Sequence, residues 1–415
     1  MATGANVLTG ANAPSGANVP SGADVPSGAN EASGVNVATA ANAANAATAA
    51  NVATAAAGGA PKKYLGDIGG VRENLRFDER RLHAWLGATI GGYRGPLRVR
   101  QFDGGQSNPT YLLETAAASY VLRRKPPGLL LQSAHAVDRE FRVMTALAEQ
   151  GFPVPEPLAL CEDESVIGTM FYVMRYVPGR IFWDCAMPDL SREQRAAVFD
   201  SVNATLARLH RLQPAALGLG DFGRPGNYFA RQIGRWSRQY EAARTAAIPE
   251  MDKLIAWLPG ALPADDGRSA LIHGDYSFHN VLIHPTEPRV VAIIDWELST
   301  LGHPLGDLTY HMMEWYRPPG VDVRGTLRGR DLGVLGIPGF DDYVALYCNR
   351  TGCKLEANLG FYRAYNLFRV AAIIQGVAHR LQQGNFASSN AEQVAARVRP
   401  LAQAGWLEAR AAGAV

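Results

Sequence analysis

The sequence predicts an α+β protein of two lobes, a small antiparallel β-rich lobe with one main helix and a larger, mainly helical lobe, preceded by a disordered tail. Three observations predict it. The first sixty residues are a low-complexity repeat, short strand-like segments crowd positions 97 to 177, and helical periodicity takes over after Pro178-Gly179. The 415 residues are 47% hydrophobic and 19% charged, enough to build a sizeable core. A formal net charge of +2 argues against nucleic acid or an anionic membrane surface as the main partner.

Residues 1–60 repeat a six-residue text, GANVLT, GANAPS, GANVPS, GADVPS, before sliding into an Ala/Asn/Thr tract. Small residues with Gly and Pro bury too little surface to offset chain entropy, so a hexapeptide β-helix is rejected and disorder expected. Globular text starts near Phe77, with Asp78 placed to N-cap an amphipathic stretch carrying Leu82, Trp85 and Leu86. Strands are predicted at 97–102 (LRVRQF), 110–115 (TYLLET) and 120–125 (YVLRRK), the first two joined by a Gly/Ser/Asn loop. A helix over 134–150 follows from Val137, Phe141, Met144 and Leu147; Gly151 ends it and Pro153 prevents its continuation. Strands around Leu158 and over 169–177 complete a first lobe spanning 75–177. The second lobe, 178–410, reads as helices at 191–212, 228–247 and several after Pro304, interrupted by short strands at 270–273, 281–283 and 289–294. Two lobes imply a cleft, and clefts are where ligands bind.

Cys161, Cys185, Cys348 and Cys353 form no dense framework, and the Cys348/Cys353 pair lacks a second Cys/His pair at zinc spacing. Reduced thiols are expected. No run of about 18 apolar residues suggests a membrane span. The absence of Lys or Arg before Lys62 speaks against a signal or transit peptide, so the cytoplasm is the expected compartment.

The chemical signal is LIHGDYSFHNVLI followed by VVAIIDWE. It holds His273-Gly274-Asp275, Asn280 five residues after the aspartate, and Asp295 twenty after it. Phosphoryl transfer asks little covalent work of a protein; it needs an acceptor to orient the attacking hydroxyl and oxygen ligands for Mg²⁺. An Asp in a loop, an amide just beyond it and an Asp at the exit of a buried strand supply that set. No G-x-S-x-G text supports a serine hydrolase.

This pattern resembles the H-R-D-x-x-x-x-N and D-F-G signatures of protein kinases, with Gly274 in place of the Arg and Asp295-Trp296-Glu297 in place of D-F-G. The HGD…N…IDW variant resembles the aminoglycoside phosphotransferase/choline kinase superfamily. The resemblance implies a two-lobed protein-kinase-like fold, ATP and Mg²⁺ as cofactors, Asp275 as base or hydroxyl-orienting residue, and Asn280 and Asp295 as Mg²⁺ ligands. His273 would structure the loop. In the first lobe YVLRRK precedes VDREFRVM, which puts Arg123 in the phosphate-holding role with Glu140 as its helix partner. Strand alternation sets Lys125 on the same face as Arg123, so both stand as phosphate contacts. Ser107 and Asn108 would lie over the phosphates, and Met174 and Tyr176 would mark the hinge where backbone groups meet adenine. Asp307 in HPLGDL would cap a helix or brace the catalytic loop, and Arg139, Arg142 and Arg175 read as surface or loop-bracing residues.

The resemblance covers about residues 75 to 405. The stretches SAHAVDREFRVM, FPVPEPLALCED and GTMFYVMRYVPGR look like the subgroup that, in some animal proteins, is fused in front of an acyl-CoA dehydrogenase domain. That subgroup implies a small-molecule partner, a 4-hydroxyacyl-CoA thioester phosphorylated on its hydroxyl. Other acceptors of the superfamily are choline, homoserine and aminoglycosides, and a nucleotide-binding module without turnover is the non-enzymatic alternative. After Gly302 the chain has twelve Lys or Arg against nine Asp or Glu, which suits an anionic acceptor better than a polycation.

Overall fold

A computed structural model describes residues 68–102, 108–127, 136–322, 325–355, 359–382 and 391–415. The predicted tail and Ser107 lie outside the described residues. The first lobe opens with β1 (Ile68–Gly69) and α1 (Glu79–Thr89), whose start is set by Asp78: its side chain accepts the N–H groups of Arg80 and Arg81. Then come β2 (Arg98–Phe102), β3 (Thr110–Glu114), β4 (Ser119–Arg124), α2 (Val137–Glu149), β5 (Pro157–Cys161) and β6 (Phe171–Arg175). They form one antiparallel sheet in the order β1-β2-β3-β4-β6-β5, so β4 is an inner strand.

Period-two alternation sorts the side chains of this sheet into two faces. Tyr111, Leu113, Tyr120, Leu122, Phe171 and Val173 pack with Leu82 and Leu86 of α1. Leu112, Val121, Tyr172 and Met174 face the other way, against Val137, Met144 and Leu147 of α2, in a core continuous with the second lobe. Arg124 therefore goes with the α1 side. It is buried near the Phe77 and Tyr111 rings and donates to the carbonyls of Leu75 and Ile167. Arg123 takes the cleft side.

The second lobe holds α3 (Arg192–Arg211), α4 (Tyr228–Ala242), α5 (Pro249–Trp257), β7 (Ala270–Ile272), β8 (Val281–Ile283), β9 (Val290–Ile293), β10 (Thr300–Gly302), α6 (Pro304–His311), α7 (Met313–Tyr316), α8 (Leu332–Leu335), α9 (Phe340–Thr351), α10 (Gly360–Gln382), α11 (Ala391–Ala395) and α12 (Val398–Ala411). Two small antiparallel pairs, β7–β10 and β8–β9, carry the loops of interest. α3 begins at a capping box, Ser191 with Gln194. α4 stops five residues before the expected 247, and beyond its end Gln375 Nε2 donates to the Ala243 carbonyl at 2.8 Å and the Thr245 hydroxyl at 2.9 Å. Among the described residues no helix is long and apolar enough to cross a membrane.

α2 is fastened to the second lobe. Arg139 Nη2 donates to the Phe222 carbonyl at 2.7 Å and its guanidinium lies 4.1 Å from the Phe222 ring centroid. Arg142 reaches the Gly218 carbonyl and Asp221. These two arginines brace the loop that ends in Phe222, while Arg175 pairs with Glu156 at the surface. Cys348 and Cys353 are free thiols with sulfurs 2.7 Å apart, and Cys161 and Cys185 are buried.

Candidate active site

The loop between β7 and β8 owes its shape to a glycine and a buried carboxylate. Gly274 sits at φ +84°, and a Cβ there would stand 2.5 Å from the Leu298 carbonyl oxygen, so only glycine fits. Asp307, fully buried on α6, accepts the His273 N–H through Oδ2 at 2.6 Å and the Gly274 N–H through Oδ1 at 2.8 Å. Its own helix is capped instead by His303, whose ring accepts from Leu305 N–H. His273 Nε2 donates to the Ile294 carbonyl at 2.9 Å and its Nδ1 accepts from Asp275 N–H at 3.2 Å. Both ring nitrogens are thus spent on backbone, and the imidazole holds the loop.

That frame presents Asp275. Its carboxylate is 4% exposed; Oδ2 accepts from Asn280 Nδ2 at 3.2 Å and lies 3.8 Å from His279 Nε2. Oδ1 is buried with no hydrogen-bond partner among the described residues. Burial alone would raise the carboxyl pKa. Hydrogen bonding and charge from His279, with Tyr310 and His273 behind it, outweigh burial and hold it well below the usual carboxylate range. A buried, ionised carboxylate with one free oxygen is suited to orient a hydroxyl and take its hydrogen bond.

Asn280 and Asp295 are brought together by the β8–β9 hairpin. The ladder pairs Val281 with Ile293, and Ile294 N–H donates to the Asn280 carbonyl, so both side chains emerge at the same end. Asn280 uses its amide nitrogen on Asp275, which leaves its amide oxygen as the atom a cation could take. Asp295 has φ +68°, a left-handed conformation that costs a non-glycine residue on the order of 1 kcal/mol and points to a functional constraint.

Arg123 crosses from β4 to meet this end of the hairpin. Its Nε lies 3.0 Å from Glu140 Oε2, and its Nη2 donates to Asp295 Oδ1 at 2.6 Å and Glu297 Oε2 at 3.1 Å. Glu140 is further held by the Tyr172 hydroxyl at 3.0 Å and Asn108 Nδ2 at 3.0 Å. Asn108 also donates to Glu297 at 3.3 Å. Its side chain is turned inward onto the carboxylates. Burial, then the neighbouring Asp295, pushes Glu140 up to about 7, against the pull of Arg123. Burial and Asp295 likewise raise Glu297. One arginine among Glu140, Asp295 and Glu297 leaves an excess of oxygen-rich negative charge, which a hard divalent cation matches. Among the described residues no trio of His, Cys, Asp and Glu converges on one point, so a cation here would share its ligands with an amide and with phosphate oxygens.

The remaining expectations fall at the edges. Lys125 follows β4, partly buried, with its N–H bonded to the Met170 carbonyl. Met174 is packed in the core, and the Tyr176 N–H is committed to the Ser119 carbonyl. Sequence reasoning assigned no role to Glu297, to His279, which stacks on Trp183, or to Arg369, whose Nη2 donates to the Gly274 carbonyl at 2.7 Å. Glu297 was within sight in the DWE text; Arg369 lies ninety-five residues from its partner and had no local signal.

Residues 98–343 match the phosphotransferase enzyme family, APH. The chain belongs to that family. It has that family's kinase-like fold, and comparisons with individual proteins agree. The crystal structure of a Ralstonia eutropha protein named for the aminoglycoside phosphotransferases is 47% identical, with a TM-score of 0.75 over 81% of this chain and 99% of that one. Spectinomycin phosphotransferase, solved with ADP and spectinomycin, shares the fold at 11% identity and a TM-score of 0.54 over 80% of this chain and 98% of its own. Acyl-CoA dehydrogenase family member 10 of Mus musculus is 43% identical over 81% of this chain, and family member 11 of Gallus gallus 44% identical over 81%. The matches take up 31% and 44% of those two relatives, so the chain spans less than half the length of each.

Proposed function

We propose that this phosphotransferase moves the γ-phosphoryl group of ATP onto the hydroxyl of a small acyl thioester, a 4-hydroxyacyl-CoA. The observation that carries the phosphotransfer is Asp275: ionised, buried, one oxygen unpartnered, and beside Asn280 and Asp295. In this reading the acceptor hydroxyl donates to Asp275 Oδ1, which aligns its oxygen for in-line attack and receives its proton as the new bond forms. Asn280 and Asp295 would hold Mg²⁺, which when bound neutralises charge on the transferring phosphate oxygens. Arg123, positioned by Glu140, would turn its guanidinium to the α- and β-phosphates, with Lys125 at the strand exit as a second cation. At the hinge, Tyr176 and Arg175 have spent their N–H groups on the Ser119 and Glu156 carbonyls and Met174 is paired with Val121 in the sheet, so adenine would meet the backbone beyond Tyr176.

The acceptor class is supported by the relatives. The segment shared with this chain sits in proteins named for acyl-CoA dehydrogenation, and a kinase joined to such an enzyme is expected to share its thioester substrates. Mg²⁺-dependent ADP release with 4-hydroxyacyl-CoAs, choline, homoserine, hexoses and aminoglycosides tests this. Turnover confined to hydroxyacyl-CoAs supports the thioester. Turnover on another alcohol keeps the kinase and discards the thioester, and ATP binding without turnover on any acceptor speaks for a binding module.

A further inference from the structure

Where α4 and α10 pack together beside the catalytic loop, arginines gather, and among the described residues no carboxylate answers two of them, Arg235 and Arg380, while Arg369 feels the charge of Asp275. Arg235 on α4 and Arg369 on α10 flank the Trp236 ring, their guanidinium carbons 4.9 and 5.8 Å from its centroid. Arg369 also lies 4.8 Å from the Tyr310 centroid and bonds the Gly274 carbonyl, so this end of the groove touches the residue next to Asp275. Among the described residues Arg235 makes no hydrogen bond and no ion pair, and its Nε is buried without a partner; the same holds for Arg380. The groups that act electrostatically on Arg235 are another arginine and two phenols: Arg369, Tyr228 and Tyr365.

Helical spacing turns these residues into a track. Arg369, Ile373, Gly376 and Arg380 recur at i, i+4, i+7 and i+11, one face of α10, and eleven residues span about 16 Å. Gly376 lets the helices come close: a Cβ there would stand 3.2 Å from Gln239 Nε2 on α4 and 3.7 Å from Arg380 Nη1. Burial and the nearby Arg369 charge lower the Arg235 pKa to about 10, and burial lowers that of Arg380, yet both stay charged at neutral pH. Two partly buried cations held without a counter-charge are costly unless an anion arrives.

We propose that this groove is an anion subsite for the acceptor, in which Arg235, with Arg380 farther along, receives a phosphate or carboxylate of the molecule whose hydroxyl reaches Asp275. The inference rests on the phosphotransfer reading for the position of that hydroxyl. The groove is open to a test of its own by equilibrium binding. The full chain, in the presence of ADP, is titrated with coenzyme A, which offers phosphates, and with 4-hydroxybutyrate, which offers only a carboxylate. Loss of a charge-assisted contact in Arg235→Gln is expected to weaken binding about 10- to 100-fold. Arg235→Lys should recover most of it, and Arg380→Gln should weaken the longer probe. Unchanged ADP affinity reports an intact fold; if Arg235→Gln loses it, Arg235→Lys and Arg380→Gln carry the test. In turnover the acceptor KM should rise with little change in kcat. Weakening for coenzyme A alone assigns the subsite to phosphate, and for 4-hydroxybutyrate alone to carboxylate. No binding of either probe by the wild type, or equal affinities in all variants, overturns the proposal. Anion binding lost in Arg235→Gln, in a protein that turns over no acceptor, keeps the subsite and removes the phosphotransfer reading.

Discussion

Replacing Asp307 by Asn isolates what holds the catalytic loop. The carboxylate is buried and accepts two backbone N–H groups, from His273 and Gly274, with His210 Nε2 3.4 Å away. An amide keeps one acceptor oxygen, and its NH₂ then faces one of the two backbone donors. The change removes a charge-assisted hydrogen bond, about 1.5–3 kcal/mol, and strands a buried N–H, about 1–3 kcal/mol more. The sum, roughly 2.5–6 kcal/mol, is a large share of a domain's stability. The effect should also depend on pH. Burial acts to raise the Asp307 pKa, but His210 and His273 outweigh it and the folded value is depressed. Its contribution is therefore fully present above the unfolded pKa of about 3.9 and is lost as pH falls through the lower folded value. Urea unfolding of both proteins from pH 7 down to pH 3 gives the difference. It should be about 2.5–6 kcal/mol at neutrality and shrink in acid. A loss under about 1 kcal/mol, or one that ignores pH, would refute the claim that this carboxylate braces the loop through its charge.

Two further outcomes are expected. Arg123→Met leaves Glu140, Asp295 and Glu297 without their shared cation, so it should destabilise the fold by about 3–5 kcal/mol and raise the ATP KM sharply; a comparable KM effect from Lys125→Met alone would move the phosphate contact to Lys125. Glu140 has a folded pKa of about 7, above its unfolded value, so stability should fall as pH rises from about 4.5 to 7, by on the order of 3 kcal/mol; in Glu140→Gln that decline should flatten, and an unchanged slope would show that Glu140 does not carry it.

What could be read from the sequence follows the physics of each element. The strands of the first lobe, α2 and the loop from His273 to Asn280 are specified locally, by alternation, by helical spacing and by residue types that phosphoryl transfer demands. Asp307 was legible from the HPLGDL text as a helix cap or a brace of the loop; that it braces, and which N–H groups it accepts, needed the fold. β10 escaped notice because its three residues gain their pairing only from β7. Glu297 gains meaning when β4 brings Arg123 to it, 174 residues away. Asn108 reads in the sequence as a loop residue over phosphates; its buried contacts with Glu140 and Glu297 depend on where α2 docks. The arginines of α4 and α10 carry no local signal, since only helix packing shows that Arg235 and Arg380 meet no acid among the described residues.

The central claim is that Asp275 serves an attacking hydroxyl. Mass spectrometry of a 4-hydroxyacyl-CoA incubated with ATP, Mg²⁺ and either the wild type or Asp275→Asn tests it directly. The wild type should yield the phosphorylated thioester, and the variant should bind ATP as well but form product about 10²- to 10⁴-fold more slowly. Equal rates of product formation by the two proteins would contradict the account.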